Sequence, residues 1–277
     1  MSNFKIVTDS SSDVLGINKV PFESAPLKIQ TEEKEYVDDA NLDVENMVDE
    51  LLSFSGKSGS SCPSVGDWLQ AFGNAKYIFC VTITSGLSGS YNSACVAKRE
   101  YEEEHPDRKV FVIDSLSVGP EMMLIIEKLE ELIESGMSYE QICEVITEYQ
   151  KNTALVFVLE SLRNLANNGR VNKLVASAAG ILGIRVIGKA SDKGDLEQLS
   201  KTRGMAKSVE KAVEIIRNLG YNGGKIRIGH CCNEEAAKKV KDIITHQFAQ
   251  AEAQIYKLRG LCSFYAEKGG LIIGFEK

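Results

Sequence analysis

Three short stretches concentrate hydroxyl groups directly after apolar, β-rich runs. Phe4–Val7 ends in Thr8-Asp9-Ser10-Ser11-Ser12-Asp13, Ile78–Ile83 in Thr84-Ser85-Gly86-Leu87-Ser88-Gly89, and Lys109–Ile113 in Asp114-Ser115-Leu116-Ser117-Val118-Gly119. The middle turn opens a helix through Tyr91, Ala94, Cys95 and Val96. A strand feeding a small-residue turn that opens a helix aims several backbone N–H groups at one point, and that point suits an anion. Ser88 is the expected N-cap, with no Glu or Gln three residues on to compete for the amides. No Lys or Arg lies in the turns. A carboxylate held there by charge-assisted hydrogen bonds, and not fully neutralised by a cation, would keep a nucleophilic oxygen.

Other chemistries fit less well. A serine hydrolase needs the G-x-S-x-G elbow and a histidine base, and the turn reads Gly86-Leu87-Ser88-Gly89. Of three histidines, His105 sits in an acidic stretch, His246 near the end of a polar helix, and His230 at a strand end, where a rim or structural role is the ordinary one. Asp9, Asp13 and Asp114 are as well suited to bonding their own turns as to holding a metal. No P-loop or dinucleotide glycine pattern occurs. Cys231 and Cys232 are adjacent, and neighbours in a strand point to opposite faces, which argues against a redox pair.

The elements that position the turns alternate strand and helix as far as Lys151, which predicts a parallel sheet with ligands outside the carboxyl ends of its strands. All three turns, with the Gly/Ser loop 56–64 that carries Ser60 and Ser61, would share that rim. Residues 26–38 read as a hairpin, Leu42–Phe54 as a helix, and Ser64 with Asp67 as the capping box of a helix through Trp68 and Phe72. Met122–Ile133 and Tyr139–Tyr149 read as helices. Beyond Lys151 the expected elements are strands at Ala154–Leu159, Ile184–Lys189, Ile226–Gly229, Ile255–Leu258 and Leu271–Phe275. Between them come a short helix ending at Gly169, a small apolar stretch Ala176–Leu182, a turn at Lys193-Gly194-Asp195, a helix starting at Thr202 and closed by Gly220, and one capped by Asn233. The fold class is therefore α/β with two domains. Residues 1–152 form a parallel-sheet α/β domain; residues 153–277 form an α+β domain with a mostly antiparallel sheet.

In 277 residues, 32 basic and 39 acidic side chains give a net charge of −7, which argues against a nucleic-acid partner. No run is long enough to span a membrane and no signal peptide is visible, so a cytoplasmic location is expected. Seven cysteines without a CxxC suggest reduced, buried thiols.

Taken together, the motifs resemble the DegV family, the fatty-acid-binding subunits of bacterial fatty acid kinases. The T-D-S-x-x-D strand end is Thr8–Asp13, and the T-S-x-P loop is Ser60-Ser61-Cys62-Pro63. The S-S-x-L-S-G-T-Y-x-S-A motif is Thr84–Ala94, the D-S strand end is Asp114-Ser115, and L-x-x-L-x-x-x-G-R-I spans Leu162–Val171. The resemblance implies a long-chain fatty acid, such as palmitate, stearate or oleate, buried between two α/β domains, with no cofactor and no catalysis by this chain. Ser60 or Ser61 and Ser88 would hold the carboxylate, with Ser85 and Ser115 on the same rim. Arg170, expected to be exposed after its Gly, and Arg203 would face a separate ATP-dependent kinase subunit that makes acyl phosphate. The family histidine that helps hold the carboxylate is Tyr265 here, its C-terminal Pro is Lys268, and its I-K-P segment is Ile184-Arg185-Val186. A phosphotransferase-type enzyme or a binder of another anionic small molecule is the alternative, because the strand-end geometry also suits phosphate.

Overall fold

In a computed structural model, residues 3–171 and 183–277 are described. The first half holds strands β1 (Phe4–Asp9), β2 (Phe22–Ala25), β6 (Tyr77–Thr82) and β7 (Lys109–Asp114), paired in parallel in the order β2-β1-β6-β7. Its helices are α2 (Val65–Phe72), α3 (Ser90–Glu104), α4 (Pro120–Glu134) and α5 (Tyr139–Gln150). Side chains of β6 alternate between two cores, as the two-residue period of a strand demands. Ile78 and Cys80 pack with Trp68, Phe72 and Ala94 under α2 and α3, while Phe79 and Val81 pack with Met122, Ile125 and Ile142 under α4 and α5. A strand buried on both faces reads as the near-continuous apolar run Ile78–Ile83, which is why it was legible. The capping box of Ser64 and Asp67 is present.

The second half is a sheet ordered β10-β9-β8-β13-β11-β12, with β8 (Thr153–Leu159), β9 (Ile184–Ala190), β10 (Leu196–Arg203), β11 (Lys225–His230), β12 (Glu252–Lys257) and β13 (Leu271–Glu276). All its pairings are antiparallel except β11 with β12. One face packs Val156, Val158, Ile228 and Phe275 under α7 (Met205–Asn218) and α8 (Glu234–Gln247). The other presents Leu155, Phe157 and Leu159. It meets the short α9 (Gly260–Ala266), α1 (Val44–Ser53) and the three-stranded antiparallel sheet β4-β3-β5, made of β4 (Glu35–Val37), β3 (Lys28–Thr31) and β5 (Ser58–Ser61). Ile29, Tyr36 and Met47 thus share a core with the second half.

Three local readings change. The Gly/Ser stretch 56–64 holds strand β5, because β3 offers a hydrogen-bonding edge that composition cannot reveal. Thr202 lies within β10, which runs to Arg203, instead of starting a helix, and the helix begins at Met205 after Gly204. Asn233 stands at the N-cap of α8 without a side-chain cap bond; its amide donates instead to the Gly269 carbonyl at 2.7 Å. The apolar stretch 176–182 lies outside the described residues.

Two devices lock the halves together. Helix α4 lies directly on β13: a Cβ on Gly274 would stand 2.5 Å from the Glu121 backbone nitrogen. From the same helix, Glu127 takes both arms of the Arg227 guanidinium at 2.7 Å, and Glu252 takes one at 2.9 Å. The tip of the β9–β10 hairpin forms the second device. Gly194, at φ +77°, touches Thr84 so closely that an added Cβ would fall 2.0 Å from its hydroxyl.

Candidate functional site

The three Ser-rich turns do lie at the carboxyl ends of adjacent parallel strands, but most of their hydroxyls serve the fold. Asp9 is fully buried and accepts from Ile83 N at 2.9 Å, Ser90 Oγ at 2.6 Å, and the backbone and hydroxyl of Ser11. Burial nevertheless raises its carboxyl above the usual range. Ser10 accepts from Leu27 N, and Ser115 closes its own turn with Ser117. Ser85 is exposed, with its amide donating to Asp114 at 3.0 Å.

Ser88 is not the N-cap of α3. That position is Gly89, without a side-chain cap bond, and Ser88 Oγ accepts weakly from Ser90 N at 3.3 Å. Ser88 sits two residues before the helix, one before its N-cap, and lines a cavity between the halves. This cavity encloses about 680 Å³, its open mouth included, and its walls are Leu27, Ile83 and Val118 on one side and Leu155, Phe157 and Ile272 on the other. Ser60, Ser88, Arg170 and Tyr265 are the polar side chains among its described lining residues, beside the Cys262 thiol.

Ser60 reaches the cavity from β5; Ser61, next in the strand, points to the other face. Tyr265 arrives on α9, whose start is fixed by two buried carboxylates. Asp38 accepts from the amides of Gly260 at 2.9 Å and Leu261 at 2.8 Å, and Asp13 accepts from Arg259 N at 2.8 Å. These are the orphan donors of a helix N-terminus. Gly260 is required there, because a Cβ would lie 2.6 Å from Asp38 Oδ1. Burial pushes Asp13 up to about 7, and its hydrogen bond from Arg259 N opposes that rise. Both aspartates of the stretch Thr8–Asp13 therefore serve the fold.

Tyr265 Oη and Ser60 Oγ are 2.7 Å apart. Two hydroxyls carry two protons, and one suffices for their mutual bond, so the other remains for an acceptor in the cavity. Burial raises the Tyr265 phenol, so it stays protonated. Arg170 lies 5.7 Å from the Tyr265 ring centre and donates through Nε to the Leu87 carbonyl at 3.3 Å.

Arg170 is half-buried at this cluster rather than exposed. Its placement follows from the end of α6 (Arg163–Asn167). Gly169, at φ +73°, bonds Ala166 O at 3.1 Å, and Arg170 N bonds Leu165 O at 2.8 Å. This paired closure is the Schellman arrangement, and it throws the residue after the glycine back across the helix end. The turns themselves lack a cation, as read, but the assembled site has one. Arg203, in contrast, ends β10 as an exposed side chain away from the cavity walls.

The described walls contain no His, Asp, Glu or Lys. The Cys262 thiol is pushed far up by burial, which leaves it un-ionised and a poor nucleophile. His230 is elsewhere, accepting from Asn233 N through Nδ1. The lining can hold an anionic head in hydroxyl and guanidinium contacts and surround an apolar tail.

Comparison with known proteins agrees with this geometry. The family model described as "Uncharacterised protein, DegV family" matches residues 3–277. A DegV domain-containing protein of Streptococcus pneumoniae is 46% identical over 277 residues, 99% of each chain. Two solved structures superpose with a TM-score of 0.97 at 46% identity, each covering 99% of both chains. One is a DegV family protein from Eubacterium eligens loaded with heptadecanoic acid; the other is the Streptococcus pneumoniae fatty acid kinase (Fak) B3 protein loaded with linoleic acid.

Proposed function

This chain belongs to the DegV family, and we propose that it binds one long-chain fatty acid between its two halves and presents the carboxylate to a separate ATP-dependent kinase subunit. The carboxylate oxygen attacks the γ-phosphorus of the kinase's ATP, ADP leaves, and acyl phosphate forms. The chain itself supplies orientation and shelter, not catalysis.

The observation that carries this reading is the pairing of an apolar interdomain cavity with the cluster Ser60–Tyr265, Ser88 and Arg170. A small phosphate-like anion would use the cluster and leave the apolar walls without a purpose. Burying about 14 methylenes contributes on the order of 10 kcal/mol before ordering costs, enough to retain the lipid through purification. Palmitate, stearate and oleate all fit this chemistry. No helix among the described residues is long and apolar enough to cross a membrane.

Organic extraction of the purified protein followed by mass spectrometry should release a stoichiometric C16–C18 fatty acid. Delipidated protein that binds neither palmitate nor oleate below about 100 μM, roughly −5.5 kcal/mol, would overturn the reading.

A further inference from the structure

A second cavity lies beside the first. It spans about 1330 Å³, open solvent at its mouth included, and its lining is more polar than that of the first, with Asp114, Glu121, Thr153 and Lys189 among its residues. Glu121 is buried and accepts from the Thr153 hydroxyl at 2.7 Å. Among the described lining residues, only Leu155 belongs to both cavities.

The strand register explains how. Leu155, Phe157 and Leu159 face the first cavity from one side of β8. Leu159 lies at the end of β8 that leads to α6 and Arg170. At about 3.3 Å per residue, Leu155 is about 13 Å back along the strand. Thr153 and Ala154, just before it, already line the second cavity. Opposite Leu155 in β13 stands Gly274, which offers no side chain and is closed off by α4. One leucine side chain, 3% exposed, thus stands where the apolar and polar spaces meet.

We propose that Leu155 is a partition that sets the limit of the acyl chain, excluding chains that run too long or end in a polar group from the second cavity. This inference rests on the fatty-acid reading above. A methyl terminus gains by packing on Leu155, whereas an extended chain must pass it. A truncated side chain would join the two spaces, and a chain ending in a hydroxyl would then find hydrogen-bonding groups beyond the gap.

The test is the affinity of delipidated wild type, Leu155→Ala and Leu155→Val for palmitic acid and for 22-hydroxydocosanoic acid. Relative to palmitic acid, the hydroxy acid should gain at least about tenfold in Leu155→Ala and about threefold in Leu155→Val, a cut small enough to keep the packing of β8. Ratios within about twofold of wild type in both variants, with palmitic acid still bound, overturn the partition and leave the fatty-acid reading standing. Wild type that binds no palmitic acid overturns both.

Discussion

The hydroxyls of Ser60 and Tyr265 lie 2.7 Å apart although 205 residues separate them. Strand β5 brings one and α9 the other, so the pair exists only when the two halves are packed. Removing the tyrosine hydroxyl tests it directly. Tyr265→Phe keeps the ring against Phe264, whose centre is 4.7 Å away, and against Arg170. Palmitate binding should weaken by about 1.5–3 kcal/mol, the range for a hydrogen bond to a charged group, while hexadecanol is largely spared. Equal palmitate affinity in mutant and wild type would take Tyr265 out of the head-group site.

Ser88 gives a sharper separation of stability from binding than a true N-cap would. Its bond to Ser90 N is long, so Ser88→Ala should cost less than the ~1 kcal/mol of a lost cap in chemical denaturation. Palmitate affinity should nevertheless fall by about 1.5–3 kcal/mol, again without a matching loss for hexadecanol. A mutation that weakens both ligands alike would show that Ser88 does not meet the carboxylate.

The two arginines should behave differently. Arg170→Ala removes the cation beside Tyr265 and should lower palmitate affinity as well as the rate of acyl-phosphate formation with the kinase. Arg170→Lys should rescue poorly, because an ammonium cannot reproduce the planar fork. Arg203→Ala, an exposed change, should leave affinity within about twofold of wild type and slow only the kinase reaction. Isothermal titration alongside phosphorylation assays checks both, and unchanged kinase turnover for Arg203→Ala would remove it from the docking surface.

Asp13 predicts a pH dependence. Its folded-state pKa, about 7, lies above the value near 3.9 of an unfolded aspartate, so between those limits the folded protein binds the extra proton. Its contribution to stability is therefore complete below about pH 4 and is lost as pH rises through 7. The loss is at most on the order of 4 kcal/mol at 1.36 kcal/mol per unit. Burial raises Asp9, Asp38 and Glu121 in the same direction. Denaturation at pH 5 and pH 8 should show wild type losing more stability than Asp13→Asn across that interval, and parallel losses would contradict the assignment.

The sequence by itself determined what depends on neighbours along the chain. The run Ile78–Ile83, the capping box at Ser64 and Asp67, and the amphipathic helices near 122–149 are local patterns, and they were readable because burial on a strand or helix repeats with a short period. The order of small-residue motifs around Ser60, Ser88 and Gly169 identified the family for the same reason. Tertiary structure decided what those patterns meet. Strand β5 forms only because β3 presents an edge to it, and Ser88 stands clear of the cap because the backbone places Gly89 there. Asp9 and Asp13 became clamps when Ser90 and Arg259 were delivered to them from distant parts of the chain. Arg170 could be read as a residue following a helix-ending glycine, but not as the cation of the cavity. That depends on where the Leu87 carbonyl and the Tyr265 ring arrive, and contacts spanning 83 residues and more leave no periodic trace in the sequence.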